Sequence, residues 1–254
     1  MESLKKTWKD EYFIHWQEAD FRGFATMTTI CNYLQETAWQ HANHHGFGYD
    51  DAGQLNQFWV ILRWFVRMDR YPKWRDKILV ETWPRPPEGI FAYRDYVITT
   101  LEGEKIGAAS STWLILDAKT RRPQKLDLVK NTAHLTTDKM ALGENASKIM
   151  VPPGIEYRET ILTKYCDMDF NNHVNNTRYV EWCLNLFDND FHRANQLASF
   201  QVNFMHESKS GEEIELMIHE NHPESHVILA RSKTSGKDVF AAELGWKKNR
   251  ETGG

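Results

Sequence analysis

Cysteine is scarce: the 254-residue chain has three, Cys31, Cys166 and Cys183. They form no Cys-x-x-Cys pair and their odd number builds no disulfide framework, which excludes a stapled secreted scaffold and a zinc ribbon. Long apolar runs are missing too. The longest, Phe58–Leu62, stops at Arg63, far short of the ~20 residues of a membrane-crossing helix. Met1-Glu2-Ser3-Leu4-Lys5-Lys6 lacks the apolar stretch of a secretory signal. Positive charge is not in excess: 31 Lys and Arg face 35 Asp and Glu, a net charge of −4, whereas nucleic-acid binding needs a concentrated basic face. No Gly-x-Ser-x-Gly elbow and no phosphate-cradling glycine loop occur, which sets aside α/β serine hydrolases and nucleotide-binding folds. The expectation is a soluble, cytoplasmic protein of a reducing compartment, with no cofactor, no metal, no nucleic acid and no membrane.

What is present is enough to fold: 41% apolar and 13% aromatic residues support a packed core. The chain also repeats itself. Asp20-Phe21 opens a stretch ending in Cys31-Asn32-Tyr33-Leu34, and 149 residues on Asp169-Phe170 opens another ending in Glu181-Trp182-Cys183, with Thr28 on Thr177 and Tyr33 on Trp182. At an offset of 136, Val66-Arg67-Met68 falls on Val202-Asn203-Phe204, Asp76 on Glu212 and Ile78 on Ile214. At 133, Gly103, Ala108, Ala109 and Trp113 fall on Gly236, Ala241, Ala242 and Trp246. An offset that only shrinks is what loop shortening in a second copy produces. Each match is weak, but three in one order point to duplication.

Both copies predict the same element order. In the first, Tyr12 to Trp16 reads as a strand. Met27, Ile30, Cys31, Leu34 and Ala38 then give one apolar helix face, stopping before Gly46. Strand-like runs follow at Trp59–Met68, Lys77–Trp83, Phe91–Thr99 and Lys105–Leu116, the last two split by the hairpin turn Glu102-Gly103-Glu104. The second copy predicts a strand near Tyr157 to Lys164 and a helix with Tyr179, Val180, Cys183 and Phe187 on one face. Strands follow around 199–207, 212–219, 226–233 and 238–246. A long helix followed by an antiparallel meander buries its stripe on one sheet face. The fold class is therefore α+β, two tandem units each made of a long helix wrapped by a curved sheet. A polar stretch closing in Pro152-Pro153-Gly154, with room for a short helix, connects them, so the expected domains are 1–130 and 155–254 with a linker over 131–154.

The densest polar cluster runs from Asp167 to Asn176, just before the second helix. Asn and Asp favour turns and caps, and one or two of them would satisfy that need. Asp169, Asn171 and His173 alternate, which in an extended segment puts an acid, an amide and an imidazole on one side. The N–H groups of the helix start can receive charge developing on a carbonyl oxygen. The first copy keeps Asp20 opposite Asp169 but has Arg22 and Phe24 opposite Asn171 and His173. Glu207 is also private to the second copy, its counterpart being Tyr71. A carboxylate near a histidine is the pair that activates water at neutral pH. The neighbouring His206 is aimed by alternation to the opposite face.

At these residues the chain resembles the fatty acyl-[acyl carrier protein] thioesterases of plants and bacteria. The resemblance spans about residues 10 to 250. It rests on Leu34-Gln35-Glu36-Thr37-Ala38, on Asp69-Arg70-Tyr71-Pro72-Lys73-Trp74, on Ala109-Ser110-Ser111-Thr112-Trp113 with Thr120-Arg121-Arg122, and above all on Asp169 through Asn176 with Tyr179 and Trp182. It implies two tandem hotdog domains and hydrolysis of the thioester of a fatty acyl-carrier-protein. It also implies a catalytic set of Asp169, Asn171, His173 and Glu207. The chain departs from many plant members in carrying Ser208 where they have Cys, so a papain-like triad has no thiol there. In the expected mechanism Glu207 and His173 deprotonate water and Asn171 orients it or the carbonyl. Asp169 fixes Asn171 or the helix start, with attack by Asp169 itself left open.

Met27, Ile30, Leu34 and Trp39 are candidates to line an acyl tunnel in the first domain, although core packing accounts for most such residues. Arg63, Arg67, Arg70, Lys73, Arg75 and Lys77 are dense enough for a patch that meets acyl carrier protein, and charges protecting a strand edge explain them equally well. His41, His44 and His45 have metal-ligand spacing but no acidic third ligand, and a helix C-terminus accounts for them. The rivals are an acyl-CoA thioesterase, an enoyl-thioester hydratase and a non-catalytic acyl-binding hotdog. The duplication lets one chain form the two-unit interface that single hotdogs make by dimerising, so a monomer or a homodimer is expected.

Overall fold

The computed structural model describes residues 6–249, with Lys130 and Asn131 described by backbone alone. Met1 to Lys5, read above for a secretory signal, lie outside it. The chain divides into two compact units, Met1–Ala146 and Ser147–Gly254.

The first unit comprises strand β1 (Trp8–Phe13), helices α1 (Met27–His44) and α2 (Tyr49–Gln54), and strands β2 (Gln57–Met68), β3 (Lys77–Glu88), β4 (Phe91–Thr100) and β5 (Lys105–Asp117). Its strands form an antiparallel sheet in the order β1-β3-β4-β5-β2. Thr26 caps α1, its Oγ1 accepting the Thr29 N–H at 3.0 Å. The predicted face is buried: Met27, Ile30, Cys31, Leu34 and Ala38 are at most 5% exposed. Burying each larger side chain contributes roughly 1.5–3 kcal/mol, which holds the helix on the sheet.

The second unit repeats the plan with β6 (Glu156–Leu162), α3 (Asn176–Asn185), α4 (Asn189–Ala194), β7 (Asn195–Phe204), β8 (Glu213–His222), β9 (Ser225–Ser232) and β10 (Asp238–Lys248). Its antiparallel sheet runs β7-β10-β9-β8-β6. Tyr179 of α3 lays its ring 4.9 Å from Phe240 of β10. Each unit is thus the expected hotdog, α+β with a helix against an antiparallel sheet. The register is duplicated as well: Val66 pairs with Ala109 in one unit, and Val202 with Ala242 in the other. Gly103 and Gly236, at their hairpin turns, share a positive φ of 88° and 68°.

Four elements differ from expectation. The first strand covers Trp8–Phe13 rather than Tyr12 to Trp16, because Trp16–Glu18 turns into a 3₁₀ segment braced by Glu18 Oε2, which accepts the His15 N–H at 2.8 Å. Phe187 falls beyond the end of α3 and packs instead with Phe191 and Trp246. The six-residue helices α2 and α4 are too short for an apolar stripe to reveal them.

The segment after β5 holds a 3₁₀ stretch, Asp127–Leu135, and then runs bonded along the first unit. Trp83 Nε1 donates to the Lys139 carbonyl at 2.8 Å, and the Ala141 N–H donates to Asp95 Oδ2 at 2.7 Å. From Ser147 it is bonded to the second unit, where Asn203 Oδ1 accepts the Ile149 N–H at 2.8 Å and Ile149 joins Val227, Leu229 and Ala241 in a core cluster. Among the described residues no helix is long and apolar enough to cross a membrane.

Candidate active site

The polar cluster forms a tight turn between the 3₁₀ segment Tyr165–Asp167 and α3. Asp169 organises it. Its Oδ1 accepts the N–H groups of Asn171 at 2.8 Å and His173 at 3.2 Å, while its own N–H donates to the His173 carbonyl at 2.7 Å. Asn172 takes the left-handed region at φ 61°, which an Asn tolerates better than most residues. The turn then passes into α3, whose N-cap Asn175 accepts the Thr177 N–H at 3.0 Å. A backbone bond from Val174 N–H to the Ser208 carbonyl, 2.9 Å, ties the turn to the chain leaving β7.

That tie brings the private residues together. His173 Nε2 lies 3.4 Å from Glu207 Oε2, with the histidine side chain 20% and the glutamate 38% exposed. The pair is therefore reachable from solvent yet half shielded. His206 is turned away, its Nδ1 2.7 Å from the Asp238 carbonyl oxygen. The carboxamide of Asn171 is on the exposed side of the turn and makes no hydrogen bond among the described residues. Alternation was the wrong geometry for it: the segment is a turn whose residues are held by Asp169, not an extended strand. The helix start is also more occupied than expected. The N–H groups of His173, Val174, Asn175, Thr177 and Arg178 all have protein partners, whereas among the described residues that of Asn176 has none.

The first unit builds the same turn without the chemistry. Asp20 Oδ1 accepts the N–H groups of Arg22 at 2.8 Å and Phe24 at 3.3 Å, Asp20 N–H donates to the Phe24 carbonyl at 2.8 Å, and Gly23 has φ 80°. Ala25 N–H donates to the Pro72 carbonyl at 2.9 Å, as Val174 does to Ser208. Here, however, the Arg22 guanidinium folds onto Asp20 Oδ2 at 2.6 Å. Phe24 and Tyr71 replace His173 and Glu207, and Tyr71 is buried with its hydroxyl 4.0 Å from Met27 Sδ.

Thiols play no part in the pair. Burial pushes Cys183 well above the ordinary thiol range and raises Cys31, while Cys166 is exposed on the 3₁₀ segment. Burial raises the Tyr179 hydroxyl to about 12, so it stays protonated at neutral pH. Of the tunnel candidates, Met27, Ile30 and Leu34 are buried on the inner face of α1, whereas Trp39 is 44% exposed and lies off that face. Among the basic residues, Arg67, Arg70 and Lys77 are paired with Glu144, Glu104 and Glu11, and Lys73 and Arg75 lie over the rings of Phe24 and Trp74. His41 Nδ1 lies 2.9 Å from a guanidinium nitrogen of Arg94, an unfavourable neighbour for a metal ion. Among the described residues no cluster of three or more His, Cys, Asp or Glu has metal-holding geometry.

An oleoyl-acyl carrier protein thioesterase of Coriandrum sativum is 26% identical over 254 residues, covering 93% of this chain and 69% of that one. A palmitoyl-acyl carrier protein thioesterase of Arabidopsis thaliana is 31% identical over 173 residues, 63% of this chain and 42% of that one. The crystal structure of an acyl-ACP thioesterase from Bacteroides thetaiotaomicron superposes with a TM-score of 0.89 at 26% identity, covering 95% of this chain and 98% of that one. A 12:0-ACP thioesterase of Umbellularia californica shares the fold, with a TM-score of 0.85 at 21% identity over 98% of this chain and 99% of the other. Family models of the acyl-ACP thioesterase N-terminal and C-terminal domains match residues 5–130 and 155–248. With both halves matched in order, the chain belongs to the acyl-ACP thioesterase family.

Proposed function

We propose that this thioesterase hydrolyses the thioester of fatty acyl-[acyl carrier protein] with a water activated by His173 and Glu207, releasing free fatty acid and ending chain elongation. One observation carries the assignment of residues: the 3.4 Å His173–Glu207 contact exists in the second unit, while the turn of the first unit, with the same backbone hydrogen bonds, presents Phe24 and Tyr71. A turn conserved between units explains Asp169 and Asp20. It does not explain an imidazole–carboxylate pair in one of them.

The water oxygen forms a bond to the thioester carbonyl carbon and its proton passes to the His173–Glu207 pair. The carbonyl becomes an oxyanion, which the Asn176 N–H at the positive end of α3 receives. When the intermediate collapses, the carbon–sulfur bond breaks and the proton returns to the leaving thiolate. Asn171, exposed at the turn, orients water or the carbonyl once substrate is in place. Asp169 is a positioning residue, since its Oδ1 is already holding two backbone amides.

Glu207→Gln and His173→Ala should each lower turnover by about 10²–10⁴-fold, the range of a lost general base. Near-parental turnover in either would remove that residue from the role. Among the described residues no cation folds onto Asp169 Oδ2 as Arg22 does onto Asp20, so a single turnover in ¹⁸O water is the matching control. Label recovered in Asp169 would replace water attack by carboxylate attack.

The same reading has Met27, Ile30 and Leu34 lining the acyl tunnel of a first domain over 1–130, with a linker over 131–154 and the catalytic domain over 155–254. Acyl carrier protein is the partner, and the chain acts in the cytoplasm as a monomer or homodimer. Assaying acyl-carrier-protein, acyl-CoA and enoyl thioesters side by side tests it against the other thioester activities.

A further inference from the structure

We propose that Arg94 binds the carboxylate of a free fatty acid on the inner face of the first unit, which subjects the enzyme to inhibition by its own product. The inference rests on the release of fatty acid and the acyl tunnel along α1 proposed above.

Arg94 stands on β4, facing α1. It is 6% exposed, and one guanidinium nitrogen lies 2.9 Å from His41 Nδ1 and 3.2 Å from Thr82 Oγ1, both residues being fully buried. A guanidinium has only donors and stays charged, so the histidine nitrogen accepts and the cation is met by neutral groups. The adjoining Asp95 faces the other side of the sheet. There it pairs with Arg85 Nε at 3.0 Å and accepts the Ala141 N–H. Among the described residues Arg94 has no carboxylate partner. A buried cation without a counter-charge is costly, and a carboxylate, with two oxygens for the planar fork, is its complement.

The second unit shows that the fold does not require this arrangement. By sheet register, Arg94, Ser111, Tyr96 and Thr82 occupy the places of His226, Leu244, Ile228 and Ile218. The same sheet thus closes over hydrocarbon where the first unit buries three hydroxyls and a guanidinium. Helix α1, 18 residues long, also carries His41 past the point where the 10-residue α3 has ended. A polar interior confined to one unit is what a binding site produces and a shared scaffold does not.

The neighbouring residues indicate the anion. On α1, His41 follows Leu34 by two turns, and Ile30 and Met27 continue that stripe toward the helix start, all three apolar residues at most 2% exposed. At ~1.5 Å per residue, His41 to Met27 spans about 21 Å. An apolar stripe ending at a buried cation fits a long hydrocarbon with a carboxylate at one end. Hydrolysis makes that molecule from a thioester uncharged at the same carbon, so Arg94 distinguishes product from substrate. With its carboxylate on Arg94, the fatty acid lies along Leu34, Ile30 and Met27 and competes with the acyl chain of the substrate.

In the full chain at pH 8, dodecanoate and palmitate should each bind at least about tenfold tighter than the primary alcohol of the same length, the scale of a charge-assisted hydrogen-bonded pair. Arg94→Met removes the cation, keeps an unbranched side chain, and should bring acid and alcohol within about twofold of each other. A measurement on the unaltered chain covers the case of a variant that does not fold. Dodecanoate labelled with ¹³C at the carboxylate should stay ionised when bound at a pH where the free acid is protonated. Equal binding of acid and alcohol, a preference that survives in Arg94→Met, or a bound carboxylate that titrates as in water would each overturn the inference. Fatty acid should also raise the KM for acyl carrier protein substrate with kcat unchanged. Arg94-dependent binding without that competition leaves the carboxylate site standing and removes Met27, Ile30 and Leu34 from the tunnel. Equal competition by acid and alcohol keeps the tunnel and ends the role of Arg94.

Discussion

Asp169 shows how far one side chain can be read without coordinates. The sequence supplies an acid shared by both copies and an imidazole in only one, and the structure gives the shared residue the shared task of gathering backbone amides. The imidazole and Glu207 were legible for the same reason, as differences between copies. Asn171 was legible as a residue but not in its direction, because alternation holds for strands and this segment turns at a positive φ. That φ yields a test. Gly23 occupies the position of Asn172 in the first unit, so Asn172→Gly should leave turnover close to parental. Asn172→Val, β-branched and disfavoured at φ 61°, should strain the turn and lower activity by misplacing His173. Steady-state rates of the two variants decide it. Equal activity would show that the turn's backbone does not govern the site.

At the level of elements, helices with a long apolar face and hairpins with a glycine turn were readable, since periodicity and φ preference are local properties. The first strand was misplaced because Tyr12 to Trp16 is apolar enough for a strand, while a bond from a residue farther on, Glu18, closes it into a turn. Helices α2 and α4 depend on what they pack against. The aromatic group around α4 has a consequence in pH. His226 is 6% exposed, with its ring edge-on to Phe187 at 4.9 Å and Phe191 at 6.0 Å. Burial lowers its pKa, His222 adds to that and Glu220 opposes it. An imidazole kept neutral in the folded state takes up its proton more readily when unfolded, so stability is present above the unfolded value of about 6.5 and is lost as pH falls below it. Urea unfolding at pH 7.5 and 5.5 should show this loss, and His226→Gln should reduce it. An identical pH dependence in the variant would place the effect on other groups.

Across the whole molecule, the repeat was the feature that the sequence made plainest, and it carried the fold. The offsets of 136 and 133 fall on paired residues in equivalent strands, as Val66–Ala109 and Val202–Ala242 show, and that of 149 falls on the turn and helix before them. The course of the connector was not readable. Its bonds run from side chains such as Trp83, Asp95 and Asn203 to a backbone with no periodicity of its own. With the imidazole–carboxylate pair in one unit, a carrier protein bearing its acyl chain through a non-hydrolysable amide should saturate the enzyme at one equivalent per chain by calorimetry. Two equivalents would give the first unit a binding role equal to the second.

Gly23 and Asn172, Phe24 and His173, Tyr71 and Glu207 could diverge because they are separate codons. In a homodimer of single units every substitution is expressed on both faces at once, so a change that improves one face is imposed on the other. Fusing the copies removed that coupling. On the reading proposed above, the unit without the imidazole–carboxylate pair is open to selection on fit to a hydrocarbon chain, so product length can change without touching the groups that cut the ester.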